Sequence, residues 1–254
     1  MQNSLLENKI SIVTGGNGGI GLGIAEGLAL QGSTVIIAAR NNNKNISALK
    51  KLKDINEKCE SFELNVNNLD GINSLVEFVI NKFGKIDILV NNAGITRRSD
   101  EPHLLSKDDW KDVLDTNLNS IHDITSCVFP YMKKNQSGKI INIGSMMSIF
   151  GTGYASAYAA SKGGVVQYTK SCAVAWAKYN VQVNSILPGW IVTEMTDGFK
   201  SKFPERYAMI IERTPAERWG VPKDLAGTAV FLSSELSDFV TGTSIAVDGG
   251  YSVW

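Results

Sequence analysis

Tyr158 and Lys162 stand four residues apart in a stretch, Ala155–Lys178, whose composition predicts a helix. Four residues is a little over one helical turn, so both side chains lie on one face. A tyrosine of ordinary pKa, about 10, keeps its proton at neutral pH. A neighbouring ammonium favours the phenolate, and a phenol tuned in this way can serve as a general acid or base. Alone, the Tyr-x-x-x-Lys spacing also describes a plain helix surface pair. Ser145, just past the apolar run Lys139–Ile143, adds a hydroxyl that could join the two. A second constellation lies at the start of the chain. Thr14–Gly21 reads TGGNGGIG, directly after a β-branched run and at the opening of a helix. Glycines in that context allow a tight turn at Gly15, close approach of a phosphate at Gly19 and packing of the helix on the sheet at Gly21. The free N–H groups of the helix start attract an anion.

These groups need a frame. The predicted strands are Lys9–Thr14, Thr34–Ala39, Ser61–Val66, Ile86–Val90, Lys139–Ile143, Gln182–Leu187 and Ser244–Val247. Between them fall predicted helices over Gly19–Leu30, Asn45–Asn56, Gly71–Phe83, Ser106–Lys134, Ala155–Lys178 and Pro222–Ser233. Short apolar strands alternating with helices imply βαβ units and a parallel sheet covered on both faces. Right-handed crossovers then give a doubly wound α/β sheet of about seven strands. No linker, repeat or low-complexity tract divides the chain, so a single domain over residues 1–254 is expected. The stretch 193–216 breaks the alternation and is the expected substrate lid.

Composition removes other classes. The chain has 254 residues, 25 Lys+Arg and 25 Asp+Glu, hence a formal net charge of zero. That balance argues against a nucleic-acid partner, which calls for a basic face. With 43% hydrophobic and 20% charged residues, the chain can build a core and is not disordered. No apolar run reaches the ~20 residues that span a bilayer, and the N-terminus has no secretory pattern. Cys59, Cys127 and Cys172 are far apart and form no CxxC pair. With two histidines, they point to reduced thiols in a cytoplasmic protein and to no metal site.

The glycine spacing, Gly-x-x-x-Gly-x-Gly, resembles that of the short-chain dehydrogenase/reductase family. The resemblance extends through Asn91–Gly94 (NNAG), Asn117, Ser145, Tyr158 with Lys162, Pro188–Gly189 and Asp248–Gly250 (DGG), over residues 5 to 254. It implies a Rossmann fold, a nicotinamide cofactor and Asn117, Ser145, Tyr158 and Lys162 as catalytic residues. Ser145 would donate to a substrate carbonyl, Tyr158 would deliver the proton, and Lys162 would tune Tyr158 and bind the nicotinamide ribose. Asn117 would hold a water linking Lys162 to solvent, or else be a helix Asn satisfied by backbone. By the same resemblance the cofactor lies on Gly15, Asn17, Gly18, Gly19, Ile20 and Gly21. Asn65 and Val66 would take the adenine, Asn91, Ala93 and Gly94 the ribose side, and Ile191 and Thr193, after Pro188 and Gly189, the carboxamide.

An acid at the end of the second strand would accept from the ribose hydroxyls and repel a 2′-phosphate. Here Ala39 takes that place, followed by Arg40 and Asn41. A guanidinium forks onto phosphate, so NADP(H) is expected, with NAD(H) the other possibility. Gly18 stands where many NADP(H)-preferring relatives carry a second basic residue. NIGSMMS, TPAERWG and ITRR most resemble the sugar-acid branch, the gluconate and deoxy-ketogluconate dehydrogenases. Arg98 is the expected partner of a substrate carboxylate in preference to Arg97, and Met147 and Trp190 would line the pocket. A 3-oxoacyl thioester reductase or a broad-specificity alcohol dehydrogenase is the alternative. Family resemblance implies a homotetramer or homodimer.

Overall fold

The protein, represented by a computed structural model, is described over residues 4–254. Seven parallel strands form one sheet in the order β3-β2-β1-β4-β5-β6-β7. They are β1 (Ile10–Thr14), β2 (Thr34–Ala39), β3 (Glu60–Glu63), β4 (Ile88–Asn91), β5 (Gly138–Ile143), β6 (Val181–Pro188) and β7 (Ser244–Val247). Period-two alternation within the apolar strands splits the core into two layers. Val13, Ile37, Val90 and Ile141 face one side, with Ile24, Leu28 and Leu232. Their neighbours Ile12, Ile36, Leu89 and Ile140 face the other, with Leu75, Val79 and Val128. The first layer lies under α1 (Gly19–Leu30), α2 (Asn42–Ile55) and α9 (Ala226–Ser233). The second lies under α3 (Leu69–Phe83), α5 (Ser120–Asn135) and α6 (Ser156–Trp176). The strand order reverses between β1 and β4, the place where ligands bind in such sheets.

The doubly wound fold agrees with the sequence; several boundaries shift. Helix α2 starts three residues before the expected Asn45, because Asn41 caps it through Lys44 N–H (3.0 Å). Helix α3 starts at Leu69, capped by Asn68 through Gly71 N–H (3.2 Å). Strand β3 stops at Glu63, short of the expected Val66. The expected helix Ser106–Lys134 is two helices, α4 (Lys107–Leu114) and α5, joined by a π-helical turn over Asp115–Asn119. There the Ser120 N–H reaches back five residues to Asp115 O, and the inserted residue re-aims Asn117. Helix 222–233 opens with a 3₁₀ turn, Pro222–Leu225. The stretch 193–216 holds two unpredicted helices, α7 (Phe199–Lys202) and α8 (Pro204–Glu212). They pack on a third apolar cluster with Met146, Leu187, Phe199, Ile210, Trp219 and Tyr251.

One buried polar residue ties the cofactor side together. Asn45 is fully buried; its amide donates to Ala39 O (2.8 Å) and Phe62 O (3.3 Å) and its oxygen accepts from Asn17 (2.7 Å). Asn45→Ala leaves these groups unpaired and is expected to cost about 1–3 kcal/mol. Urea denaturation with an unchanged m-value checks it; a loss under about 0.5 kcal/mol, the scale of an ordinary surface change, would show that the bonds are dispensable.

Candidate active site

The C-terminal ends of β1, β2, β4, β5 and β6 open onto a cleft of about 500 Å³, and an adjoining pocket of about 230 Å³ continues it past Arg40, Asn41, Asn65 and Val66. The phosphate end is a sewn turn. The Thr14 hydroxyl accepts from the backbone N–H of Asn92 (2.9 Å) and Ala93 (3.1 Å). The Asn92 amide donates back to Thr14 O (2.9 Å) and Gly15 O (3.2 Å). Gly19 has φ +50°, a left-handed backbone that suits glycine. At Gly21 a Cβ would stand 2.3 Å from Gly15 O and 2.4 Å from the Asn92 amide nitrogen. Gly21 therefore closes the turn on itself, where the sequence suggested helix-on-sheet packing. Helix α1 has no side-chain cap and no acid in its first turn. Its free N–H groups can accept an anion.

The expected cofactor residues divide by position. Gly15, Asn17, Gly18, Gly19 and Ile20 line the cleft, as do Ala93, Gly94, Pro188, Gly189, Ile191 and Thr193. Gly21 does not. Asn91 is a correction: it is buried, its amide donates to Thr125 (3.1 Å) and Asn142 (2.8 Å), and it does not line either cavity. The last residue of a strand alternates sides with its neighbour, so it is Asn92 that faces the phosphate turn. Asn65 already accepts from Asn67 N–H (3.2 Å), which leaves its oxygen one free lone pair.

Ser145, Tyr158 and Lys162 meet in the same cleft. Ser145 lies two residues past β5 and caps a 3₁₀ turn; its Oγ accepts from Met147 N–H (3.1 Å), which leaves its own proton to donate to the Tyr158 phenol. Ser148 accepts from Ser145 N–H (3.2 Å) and donates to Lys162 O (2.7 Å), fixing the turn against α6. Lys162 is buried and its Nζ donates to Ile143 O (2.6 Å). The same Nζ lies 5.7 Å from the Tyr158 ring centre.

Burial governs both titrating groups. It lowers Lys162 to about 8. It raises the Tyr158 phenol above its ordinary value; the hydrogen bond from Ser145 opposes the rise and nearby Tyr154 adds to it. The sequence alone predicts an ammonium-lowered phenol; in the free protein desolvation of the phenolate sets the direction and the phenol is raised.

Asn117 takes the satisfied-helix alternative. It is fully buried, accepts from Ile95 N–H (2.8 Å) and donates to Ile95 O (2.9 Å) and Ser161 Oγ (3.1 Å). Ser161 in turn donates to Tyr158 O (2.7 Å), so Asn117 braces the helix turn that carries Tyr158. Both its amide hydrogens and one lone pair of its oxygen are thus engaged within the protein.

The substrate end separates the two adjacent arginines. Arg97 turns away to Asp112 (2.6 Å) and Asp109 (3.3 Å) on α4. Arg98 lines the cleft with its guanidinium 5.6 Å from the Tyr154 ring centre. Met147 and Trp190 also line the cleft, and Trp190 packs as a tilted ring against Trp219 (5.2 Å) and Phe199 (5.6 Å). Sequence reasoning did not single out Tyr154, Thr152, Lys44 or Glu194. The Thr152 hydroxyl is buried in the cleft wall with no partner. Lys44 and Glu194 form an ion pair across the cleft (2.5 Å). Tyr154 was legible as an aromatic four residues before Tyr158; the other three carry no local signal.

Comparisons with known proteins agree with this geometry. The short-chain alcohol dehydrogenase family model described as enoyl-(acyl carrier protein) reductase matches residues 15–252. The 2-dehydro-3-deoxy-D-gluconate 5-dehydrogenase of Formosa agariphila is 41% identical over 247 residues, covering 96% of this chain and 93% of that one. The 3-oxoacyl-(acyl-carrier-protein) reductase of Thermotoga maritima is 38% identical over 245 residues, covering 96% and 98%. The crystal structure of a gluconate 5-dehydrogenase from Burkholderia cenocepacia, in complex with NADP and tartrate, superposes with a TM-score of 0.93. It is 34% identical and covers 99% of this chain and 98% of that one.

The buried lysine gives a pH signature. A folded-state value near 8 against 10.5 means that the folded protein sheds a proton that the unfolded chain keeps. Stability from this group therefore rises with pH across that window. Compared with Lys162→Met, the parent protein should gain up to about 3 kcal/mol between pH ~7.5 and ~10.5. Urea melts of the cofactor-free proteins over that range test this, and parallel curves would refute a buried ammonium.

Proposed function

The chain belongs to the short-chain dehydrogenase/reductase family, and on that premise we propose that it interconverts a secondary alcohol and a ketone on a sugar acid of the gluconate and ketogluconate kind, with NADP(H) as cofactor. The observation that carries the substrate class is Arg98. It lines the cleft that holds Ser145 and Tyr158, and among the described residues it has no carboxylate partner. A guanidinium in that position can fork onto a substrate carboxylate. Arg206 of α8 adds positive charge behind the cleft wall, 4.4 Å from the same Tyr154 ring. The unpaired Thr152 hydroxyl suits a polyhydroxy chain and gives nothing to an acyl thioester. Relatives named as sugar-acid dehydrogenases and as acyl-carrier reductases both align along nearly the whole chain, and the cleft chemistry favours the former.

The residues present fit a dinucleotide. The close-packed Gly15–Gly21 turn and the uncapped start of α1 suit the pyrophosphate. At the end of β2, Ala39 leaves room and Arg40 offers charge for a 2′-phosphate. When bound, the nicotinamide supplies or accepts the hydride. The protein does the rest. Ser145 turns its proton from the Tyr158 phenol to the carbonyl oxygen. Tyr158, whose phenol burial keeps protonated, gives its proton to the oxygen as it becomes an alcohol. Lys162, fixed on Ile143 O, would bind the ribose hydroxyls. In the oxidative direction Tyr158 must first lose its proton, and its raised value moves that loss to higher pH.

Residues 193–216 form the lid in this reading, and the protein works in the cytoplasm as a homotetramer or homodimer. The three free cysteines and the exposed apolar Val174, Phe239, Val253 and Trp254 support these two assignments.

A steady-state assay following reduced-nicotinamide absorbance tests the proposal. The panel holds 5-ketogluconate, deoxy-ketogluconates, matched neutral ketoses and a 3-oxoacyl thioester, each with NADPH and NADH. The sugar acids and NADPH should give the highest kcat/KM; turnover of neutral ketones and thioesters alone would overturn it. Tyr158→Phe should lower kcat by about 10²–10⁴-fold. Arg98→Ala should raise KM for the acids about ten- to hundredfold, the loss of one charge-assisted pair. Oxidation should run faster in alkaline than in neutral buffer, and a flat profile would contradict the raised phenol.

A further inference from the structure

We propose that Lys44 is a second binding residue for the cofactor's 2′-phosphate, and that Glu194 holds Lys44 until the cofactor arrives. The inference rests on the NADP(H) reading and adds to it a residue and a mechanism of entry. Arg40 is exposed, and Gly18 brings no second cation to the ribose end. Lys44 does. It lies in the first turn of α2 and lines both the main cleft and the adjoining pocket with Arg40. Its Nζ is occupied, 2.5 Å from Glu194 Oε2. Glu194 comes from the opposite wall, in the turn that follows Thr193. The pair therefore spans the cleft from α2 to the start of segment 193–216.

Glu194 is the one acidic side chain among the described residues that line either cavity. An unpaired carboxylate there would repel a phosphate dianion, and pairing with Lys44 neutralises it. Both side chains are largely solvent-exposed, at 48% and 74%. An exposed ion pair of this kind is weak and exchanges easily. A phosphate monoester carries close to two charges and three strong acceptor oxygens, so it outcompetes a single carboxylate for the ammonium. Lys44 then turns from Glu194 to the phosphate, beside Arg40. Glu194, left without its partner, is repelled, and the turn Glu194–Thr196 is released from α2. A cofactor without the 2′-phosphate gains nothing from the exchange. Lys44 thus contributes to the choice between the two cofactors as well as to binding.

Equilibrium binding tests this, with quenching of intrinsic tryptophan fluorescence by NADPH and by NADH as the readout on the full-length protein. Lys44→Ala should weaken NADPH about tenfold, the loss of one charge-assisted contact, and leave NADH within about twofold, the scatter of context effects. Lys44→Arg, which keeps the charge, should restore most of the NADPH affinity. Glu194→Gln should tighten NADPH severalfold, because the competitor for Lys44 is gone, and leave NADH unmoved. Equal shifts for both cofactors, or no shift for NADPH in either variant, would overturn the inference while the NADP(H) reading stands. A parent protein that binds NADH more tightly than NADPH would overturn the cofactor reading and this inference together.

Discussion

Thr14 and Asn92 exchange hydrogen bonds across the point where the sheet reverses its winding. Chains leaving β1 and β4 depart to opposite faces, and beyond the last paired residues, Val13 and Val90, no ladder bond holds their ends together. A threonine hydroxyl and an asparagine amide do so, and every other wall of the cleft is placed relative to that joint. On one side it closes the phosphate turn, where Gly21 leaves room for the Asn92 amide. On the other it fixes the Ala93–Gly94 stretch beside Lys162 and Asn117. Below it, Asn91 reaches Asn142, and Asn142 reaches Thr169 on α6 (2.9 Å). That chain of buried amides and hydroxyls links β4, β5 and the helix that carries Tyr158 and Lys162. A nearly satisfied buried network admits few alternative arrangements, which suits a site in which small displacements reduce rate steeply.

The electrostatics follow from the same burial. A net charge of zero offers no broad basic face, yet positive groups are concentrated along one cleft: the start of α1, Arg40, Lys44, Lys162 and Arg98. Lys162 is the costly one. Held away from water on a single carbonyl, it destabilises the free protein at neutral pH, and ribose hydroxyls would give its remaining N–H groups partners. Tyr158 is raised by the same desolvation. Without a bound cation nearby, the phenol is an acid kept loaded; the base form needs charge brought in from outside the chain.

How much of this was legible depended on whether the signal was local. The central strands read clearly because burial on both faces makes them apolar runs, and Ile12 beside Val13, or Leu89 beside Val90, each finds a core; the edge strand β3, ESFE, lacks that signal and its end falls short of the expected Val66. Helix starts slipped by two or three residues where asparagines cluster, since any of Asn41 to Asn45 could cap. The π turn left no trace, because inserting one residue preserves composition and nearly preserves periodicity. Of the site, the motif residues stood out, but their facing did not. Asn91 and Asn92 are the same residue type, and only strand phase decides which enters the core. Arg97 and Arg98 are likewise equivalent on paper; Asp109 and Asp112 of α4 separate them. Lys44 and Glu194 are 150 positions apart and meet only because the fold brings α2 opposite segment 193–216.

That segment is also built apart from the rest. The two large apolar layers flank the sheet, whereas α7 and α8 rest on Trp190, Phe199, Tyr207 and Trp219, a cluster of tilted aromatic rings 4.9–5.6 Å between centres. Displacing it would disturb those ring contacts and leave the packing around Val13 or Leu89 intact. It touches both halves of the cleft: Thr193 and Glu194 at its start border the cofactor side, and Arg206 on α8 leans on Tyr154 beside the substrate side. A single piece of chain, packed on its own small core, thus spans the two binding regions. Any change in its position is felt at both, while the strand ends that hold Ser145 and the phosphate turn stay fixed by the sheet.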